Sequence, residues 1–375
     1  MTERIDNLLP EGLADRLPRE AAIATQAMRA ALDVMHMHGY DRVSPPLIEF
    51  EHALAGRLTS SGEGDSARRM FRFLDPVSLR SLAIRSDMTA QIGRIAATSL
   101  ADHARPLRLC YAGEIALLTA DQLDPARQRL QMGAELIGND SAAAASEIVA
   151  LAIKALQAAG ASGISIDFTL PDLVDVLAKS TLPLSHDDVA LVRRELDTKD
   201  AGGLKAAGGE AYLPLLFATG SFEDAVAKLA SFDGGNALTT RIEGLKAIAA
   251  RIDGNIRITL DPTERHGFEY QSWFGFTIYA DGVRGAAGRG GTYEIAGTQE
   301  CATGFSLYLD RLADGLEPSQ RQQLVYCEQG CDFATAQRLR QDGWRTIDAL
   351  SPAETSKALG CTHVLTGKTL TPLIG

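Results

Sequence analysis

Between Leu173 and Ala250 the chain carries amphipathic helical segments, broken by Gly202-Gly203, Gly208-Gly209 and Gly234-Gly235, with no strand-like alternation. Strand candidates flank this block on both sides. Ser81 to Arg85, Leu107 to Leu118, Arg129 to Gly138 and Gly163 to Thr169 precede it; Ile256 to Leu260, Glu269 to Ala280 and Thr303 to Leu307 follow. Such a chain must close one sheet around a helical insertion, at about residues 171–252. Short turns, and not regular crossover helices, join the strands. The pattern therefore predicts an α+β fold with a largely antiparallel sheet, and argues against a doubly wound one.

Outside that frame, Glu20 to His38 has apolar residues at helical spacing and ends at Gly39, a helix-stopping residue. Tyr40 to Phe50 reads as a strand broken by Pro45 and Pro46, which places it at a sheet edge or bulge. After Leu316-Glu-Pro-Ser the character changes. A strand at Gln323 to Cys327, a helix at Asp332 to Asp342, a short strand after Gly343, a helix at Ala353 to Leu359 and a strand at His363 to Leu365 are expected. The reading is a core over residues 1–316 and a small C-terminal α/β module over 317–375.

With 375 residues, 45% of them hydrophobic, the chain can bury a sizeable core. The 37 basic and 48 acidic residues leave a net charge of -11, which disfavours a broad phosphate-gripping surface and hence a nucleic-acid partner. The most apolar stretch, Ser141 to Ala161, is interrupted by Glu147 and Lys154, so no membrane span is expected. The N-terminus lacks the basic-then-apolar order of a secretory signal. Five scattered cysteines suit reduced thiols in a cytoplasm. Cys327 and Cys331 lack the further ligands that zinc requires, and His36 and His38, two apart on a helix, face different ways. No metal is expected. Gly367-Lys-Thr lacks the glycine five residues earlier that a phosphate loop needs. The dense run Gly285-Ala-Ala-Gly-Arg-Gly-Gly291 lacks the dinucleotide order and reads as a tight turn or a close backbone approach. No cofactor is expected either.

Ordered segments then point to one family. His38-Gly-Tyr-Asp-Arg-Val-Ser-Pro-Pro-Leu-Ile-Glu49 resembles the first class II synthetase motif. Leu82-Ala-Ile-Arg-Ser-Asp-Met-Thr-Ala90 resembles the Arg-Pro-Glu-Gly-Thr segment of histidyl-tRNA synthetases. Tyr111-Ala-Gly, with Arg127-Gln-Arg-Leu-Gln-Met-Gly-Ala-Glu-Leu-Ile-Gly138, resembles the second class II motif. Arg265-His-Gly-Phe-Glu-Tyr270 and Gly290-Gly-Thr-Tyr-Glu294 resemble the two histidine signatures, and Gly304-Phe-Ser-Leu-Tyr-Leu-Asp-Arg-Leu312 the third motif. The resemblance spans roughly residues 10 to 316 and implies a class II aminoacyl-tRNA synthetase-like antiparallel sheet flanked by helices.

The departures matter as much as the matches. The family's arginine for the ATP α-phosphate falls on Leu117, the acid after it on Thr119, and the arginine of the second histidine signature on Thr292. His266 stands at the arginine of the first, with Arg265 displaced by one. A leucine cannot neutralise charge developing on phosphate. What survives is the amino acid side, where the resemblance implies histidine binding by Asp87, Thr89, Gln131 and Glu135, completed by Arg265 and Tyr270. Gln131 and Glu135 lie four apart on a strand and so share one face. Such a set is similar to the regulatory-subunit family of ATP phosphoribosyltransferase. That likeness implies no catalytic residues, no aminoacylation, a short-form catalytic subunit as partner, a homodimer within a hetero-oligomer, and histidine as feedback effector of the first step of histidine biosynthesis. An active histidyl-tRNA synthetase and a stand-alone histidine-binding paralogue are the alternatives.

Overall fold

A nine-stranded sheet organises the larger part of the chain, in the order β1-β5-β6-β12-β11-β10-β7-β9-β8. In this computed structural model the described residues are 9–55, 70–119, 125–232, 236–265, 271–313, 315–316, 323–351 and 354–373. They fall into two compact units, Met1–Leu316 and Glu317–Gly375. The strands of the first are β1 (Asp41–Arg42), β2 (Ile48–Phe50), β3 (Arg72–Leu74), β4 (Ser81–Ile84), β5 (Leu107–Ala116), β6 (Gln128–Ile137), β7 (Ser165–Thr169), β8 (Gly220–Ser221), β9 (Arg257–Leu260), β10 (Gln271–Tyr279), β11 (Gly288–Glu294) and β12 (Cys301–Tyr308). Only β1/β5 and β7/β9 run parallel; every other neighbouring pair in this sheet is antiparallel.

The helices are α1 (Pro18–Met37), α2 (Glu51–Ala55), α3 (Thr89–Ala97), α4 (Ala142–Ala158), then the insertion's α5 (Leu173–Ala178), α6 (His186–Asp197), α7 (Ala201–Ala206), α8 (Phe222–Phe232) and α9 (Thr239–Ala249), and finally α10 (Leu309–Ala313). The two faces of the sheet differ. One carries α1, α4 and the insertion over a single large core, to which β6 contributes Leu130, Met132, Ala134 and Leu136. The alanines of α4 let that helix lie close on the sheet. Its start is fixed by Ser141, whose hydroxyl accepts from Ala144 N at 3.3 Å and contributes about 1 kcal/mol as a helix cap. The opposite face carries α3, packed through Met88, Ile92 and Ala96 against Leu109, Tyr111 and Ile115 of β5. Beside α3 this face stays partly open, and there the site forms.

Several expectations need correction. Tyr40 to Phe50 is not one broken strand. β1 joins the edge of the main sheet, whereas β2 joins β4 and β3 in a separate three-stranded sheet. Pro45 and Pro46 lie between them, and neither carries the N–H needed to continue a ladder. The glycine run at 285–291 is a turn only in its first half; from Gly288 it is β11, with neighbours on both sides. The close-approach reading survives, since a Cβ on Gly288 or Gly290 would run into the backbone of β12. The insertion also contains the two-residue β8, antiparallel to β9 at the sheet edge.

The second unit is a four-stranded sheet, β14-β13-β15-β16, built from β13 (Leu324–Cys327), β14 (Arg345–Asp348), β15 (His363–Thr366) and β16 (Thr369–Pro372). Its helix α11 (Phe333–Gln341) is capped by Asp332, whose carboxylate accepts from Thr335 N at 2.9 Å. The helix expected at Ala353 to Leu359 is replaced by turns over residues 356–360, and β16 was not foreseen. All five cysteines are free thiols. Among the described residues no cluster of histidine, cysteine, aspartate and glutamate could hold a metal ion, and no helix is long and apolar enough to cross a membrane.

Candidate functional site

Register builds the site. Reading across the sheet, Gly275, Gly291, Gly304 and Glu135 lie side by side on β10, β11, β12 and β6. The next row reads Thr277, Arg289, Ser306, Gly133 and Tyr111. The glycines leave room that side chains would take away. A Cβ on Gly304 would overlap the Glu135 carboxylate, and one on Gly133 would overlap Tyr111 and the Phe305 carbonyl. The glycine row is thus the floor of a pocket whose lining includes Thr89, Glu135, Gln271, Arg289, Tyr293 and Ser306. As it stands the cleft is narrow, with a cavity volume of ≈ 20 Å³, room for about one water molecule, and it opens to solvent.

Four of the residues expected from sequence are brought into one hydrogen-bonded cluster. Gln131 is fully buried; its Oε1 accepts from Met88 N at 2.9 Å, and its Nε2 donates to Asp87 and to Ser306 Oγ, both at 2.8 Å. Asp87 also accepts from Thr89 N at 2.7 Å. Burial pushes its carboxyl above the ordinary range, against these hydrogen bonds. Glu135, 1% exposed, accepts from Tyr111 Oη at 3.2 Å and Tyr293 Oη at 2.8 Å. Desolvation pushes its pKa up to about 8, with the nearby Asp87 charge adding to the effect. Near neutral pH it therefore holds a proton much of the time. An incoming cation or N–H donor would favour its charged form.

Of the other two expected residues, Arg265 alone is described. Arg265 is half-buried, and its backbone N–H is held by Asp197 of the insertion at 2.9 Å. Tyr270 and His266 lie outside the described residues. Tyr111, Tyr293, Ser306, Gln271 and Arg289 were missed as site residues. Tyr111, Tyr293 and Ser306 stood inside recognised motifs, but alternation along one strand does not say which residue of the next strand it meets. The signal that could have found them is the glycines, which mark where bulky polar neighbours need space.

The positions matched to the synthetase family's arginines are built otherwise. Leu117 lies just past the end of β5, tied to Arg127 by backbone hydrogen bonding at 2.7 Å. Thr292 is fully buried and committed to the sheet: its Oγ accepts from Ser272 Oγ at 2.8 Å and from Phe274 N at 3.1 Å. Arg311 survives at the third-motif position, donating to Ala286 O at 2.9 Å with its guanidinium 5.4 Å from the Tyr308 ring centre.

Comparison with known proteins agrees with this geometry. A sequence model of the histidyl-tRNA synthetase family matches residues 12–312. The ATP phosphoribosyltransferase regulatory subunit of Rhodospirillum centenum is 40% identical over 96% of this chain and 95% of its own length. That of Paramagnetospirillum magneticum is 37% identical over 97% and 98%. The chain belongs to the ATP phosphoribosyltransferase regulatory subunit family. In three dimensions this family member is similar to a regulatory subunit/histidyl-tRNA synthetase from Bacillus halodurans, at TM-score 0.79 and 22% identity over 96% of this chain and 97% of that one. It is also similar to the histidyl-tRNA synthetase of Nostoc sp. PCC 7120, at TM-score 0.76 and 17% identity over 96% and 91%. At those identities the likeness establishes the class II synthetase-like fold and nothing finer.

Proposed function

We propose that this chain is the regulatory subunit of an ATP phosphoribosyltransferase, serving the first step of histidine biosynthesis, and that it binds histidine without activating it. The observation that carries this reading is the contrast within one site. Carboxylates and their hydrogen-bonding partners are assembled beside a narrow cleft in the sheet, while Leu117 and Thr292 stand where adenylation needs arginines. Asp87 pairs with the ligand's ammonium, Glu135 accepts from its imidazole N–H, and Arg289 on the pocket wall meets its carboxylate. Arg265 and Tyr270 close the site from the first histidine signature. The short-form catalytic subunit is the partner, and occupation of the pocket transmits feedback by favouring one state of the assembly.

The chain forms a homodimer within that assembly, through α1 and the β1–β2 segment. The apolar side chains exposed on and beside the three-stranded sheet, Ile48, Leu74 and Val77 among them, support a covered surface there. Light scattering that finds a strict monomer at micromolar concentration removes that part. Five free thiols favour a reducing compartment, the cytoplasm.

The test pairs two assays. Histidine-dependent pyrophosphate exchange should be undetectable with this chain alone. A short-form catalytic subunit should gain phosphoribosyl transfer on its addition, and lose that gain with added histidine. Exchange at rates typical of synthetases, or no effect on the catalytic subunit, overturns the reading.

A further inference from the structure

Strand β10 enters its ladder unevenly. Gln271 pairs with Tyr293 and Gly275 with Gly291, so four steps along β10 answer two along β11. The surplus residues form a bulge, a device that re-aims side chains next to binding and catalytic sites. The hydroxyl of Thr292 serves the bulged backbone, accepting from Phe274 N at 3.1 Å and donating to Phe274 O at 3.3 Å.

The bulge leaves the Gln271 side chain lying back over the pocket floor. A Cβ on Gly275 would run into its Oε1, and one on Gly291 into its Nε2. The carboxamide thus covers the first two glycines of the row, and the Glu135 carboxylate covers the third, Gly304. Gln271 Nε2 donates to Gly290 O at 2.8 Å, which holds the side chain down. What is left of the cleft is ≈ 20 Å³, the space of about one water molecule. An amino acid does not fit there.

We propose that Gln271 is a displaceable plug: its carboxamide takes the ligand's place over the glycine row, and histidine enters as it swings out. The inference rests on the reading of the pocket as a histidine site. The rest of the row cannot yield in this way. Its glycines offer only backbone, and Glu135 is held by the hydroxyls of Tyr111 and Tyr293. Gln271 is half-buried at the start of its strand, on a long side chain with several rotamers. The apparent affinity for histidine is then the intrinsic affinity scaled by the fraction of chains with the cleft open. The plug therefore sets the histidine concentration at which the site responds, and truncating it tightens binding. A side chain that gripped the ligand would have the opposite signature.

Calorimetry on variants of the full chain reads that sign. Gln271→Ala should bind histidine about two- to tenfold tighter than the wild type, the span set by breaking one neutral hydrogen bond. Gln271→Asn, a methylene too short to cover the row and reach Gly290 O, should shift the same way, and it serves if the alanine variant fails to fold. Nuclear magnetic resonance reads the plug itself. The side-chain amide of Gln271 should exchange slowly with solvent in the free wild-type chain and faster at saturating histidine. Weaker or unchanged binding by a folded variant overturns the proposal. So does an amide that exchanges like an exposed glutamine in the free chain, or one equally protected with histidine bound. If neither the wild type nor the variants bind histidine, the histidine reading falls, and exchange in the free chain alone decides whether Gln271 plugs the cleft.

Discussion

The cluster around Asp87 and Glu135 and the region of Leu117 and Thr292 treat charge in opposite ways. On the amino acid side, Asp87 and Glu135 sit within a closed set of hydrogen bonds from Gln131, Thr89, Tyr111 and Tyr293. On the phosphate side, the end of β5 offers Leu117, and Thr292 spends its hydroxyl on the sheet. Buried carboxylates are costly to keep unless something uses them. Their presence supports the proposal of a site that serves a small ligand and not phosphate chemistry.

The comparison can be broken most severely at Gly304. Gly304→Ala places a methyl group on the Glu135 carboxylate, and overpacking of this kind typically costs about 1–3 kcal/mol of stability. Histidine binding should disappear in calorimetry while circular dichroism still reports a folded chain. Asp87→Ala removes one charged hydrogen-bond acceptor, so binding should weaken by roughly 1.5–3 kcal/mol. Calorimetry checks it, and an unchanged affinity would take Asp87 out of the pocket.

A third change acts through protons. Glu135 is raised to about 8 in the folded chain, whereas an unfolded glutamate titrates near 4.5. Between those values the folded state holds more protons, so stability is highest at the acid end of the window and falls as pH rises towards 8. For one such group the slope is at most about 1.4 kcal/mol per pH unit. Glu135→Gln should remove that share of the slope in denaturant titrations from pH 5 to 8. The smallest effect is expected on the other side. Leu117→Arg restores one cation of several and should leave pyrophosphate exchange undetectable; a measurable rate would mean that the phosphate wall is nearly intact.

Much of this arrangement was legible before any coordinates. The alternation in Leu107 to Leu118 and Arg129 to Gly138 located β5 and β6, and the strand period put Gln131 and Glu135 on one face. The motif order picked out Asp87 and Thr89, which the fold brings to the same cluster. What stayed hidden depends on neighbours. β11 escaped because its glycines have weak strand preference, and their value is the absence of a side chain opposite Gln271 and Phe276. The division of Tyr40 to Phe50 between two sheets depends on which partners β1 and β2 find, and a single strand pattern does not encode that. Arg289 was marked only indirectly, by the glycines around it; its register beside Ser306 places it at the pocket.

The central claim is that the cluster of Asp87, Gln131 and Glu135 recognises histidine. Isothermal titration of histidine into the wild-type chain and Asp87→Ala, side by side at pH 7.5 or thereabouts, tests it most directly. The account predicts saturable one-to-one binding by the wild type and a loss of about tenfold or more in the variant. Equal binding by both, or none by the wild type alone or with its catalytic partner, would contradict it.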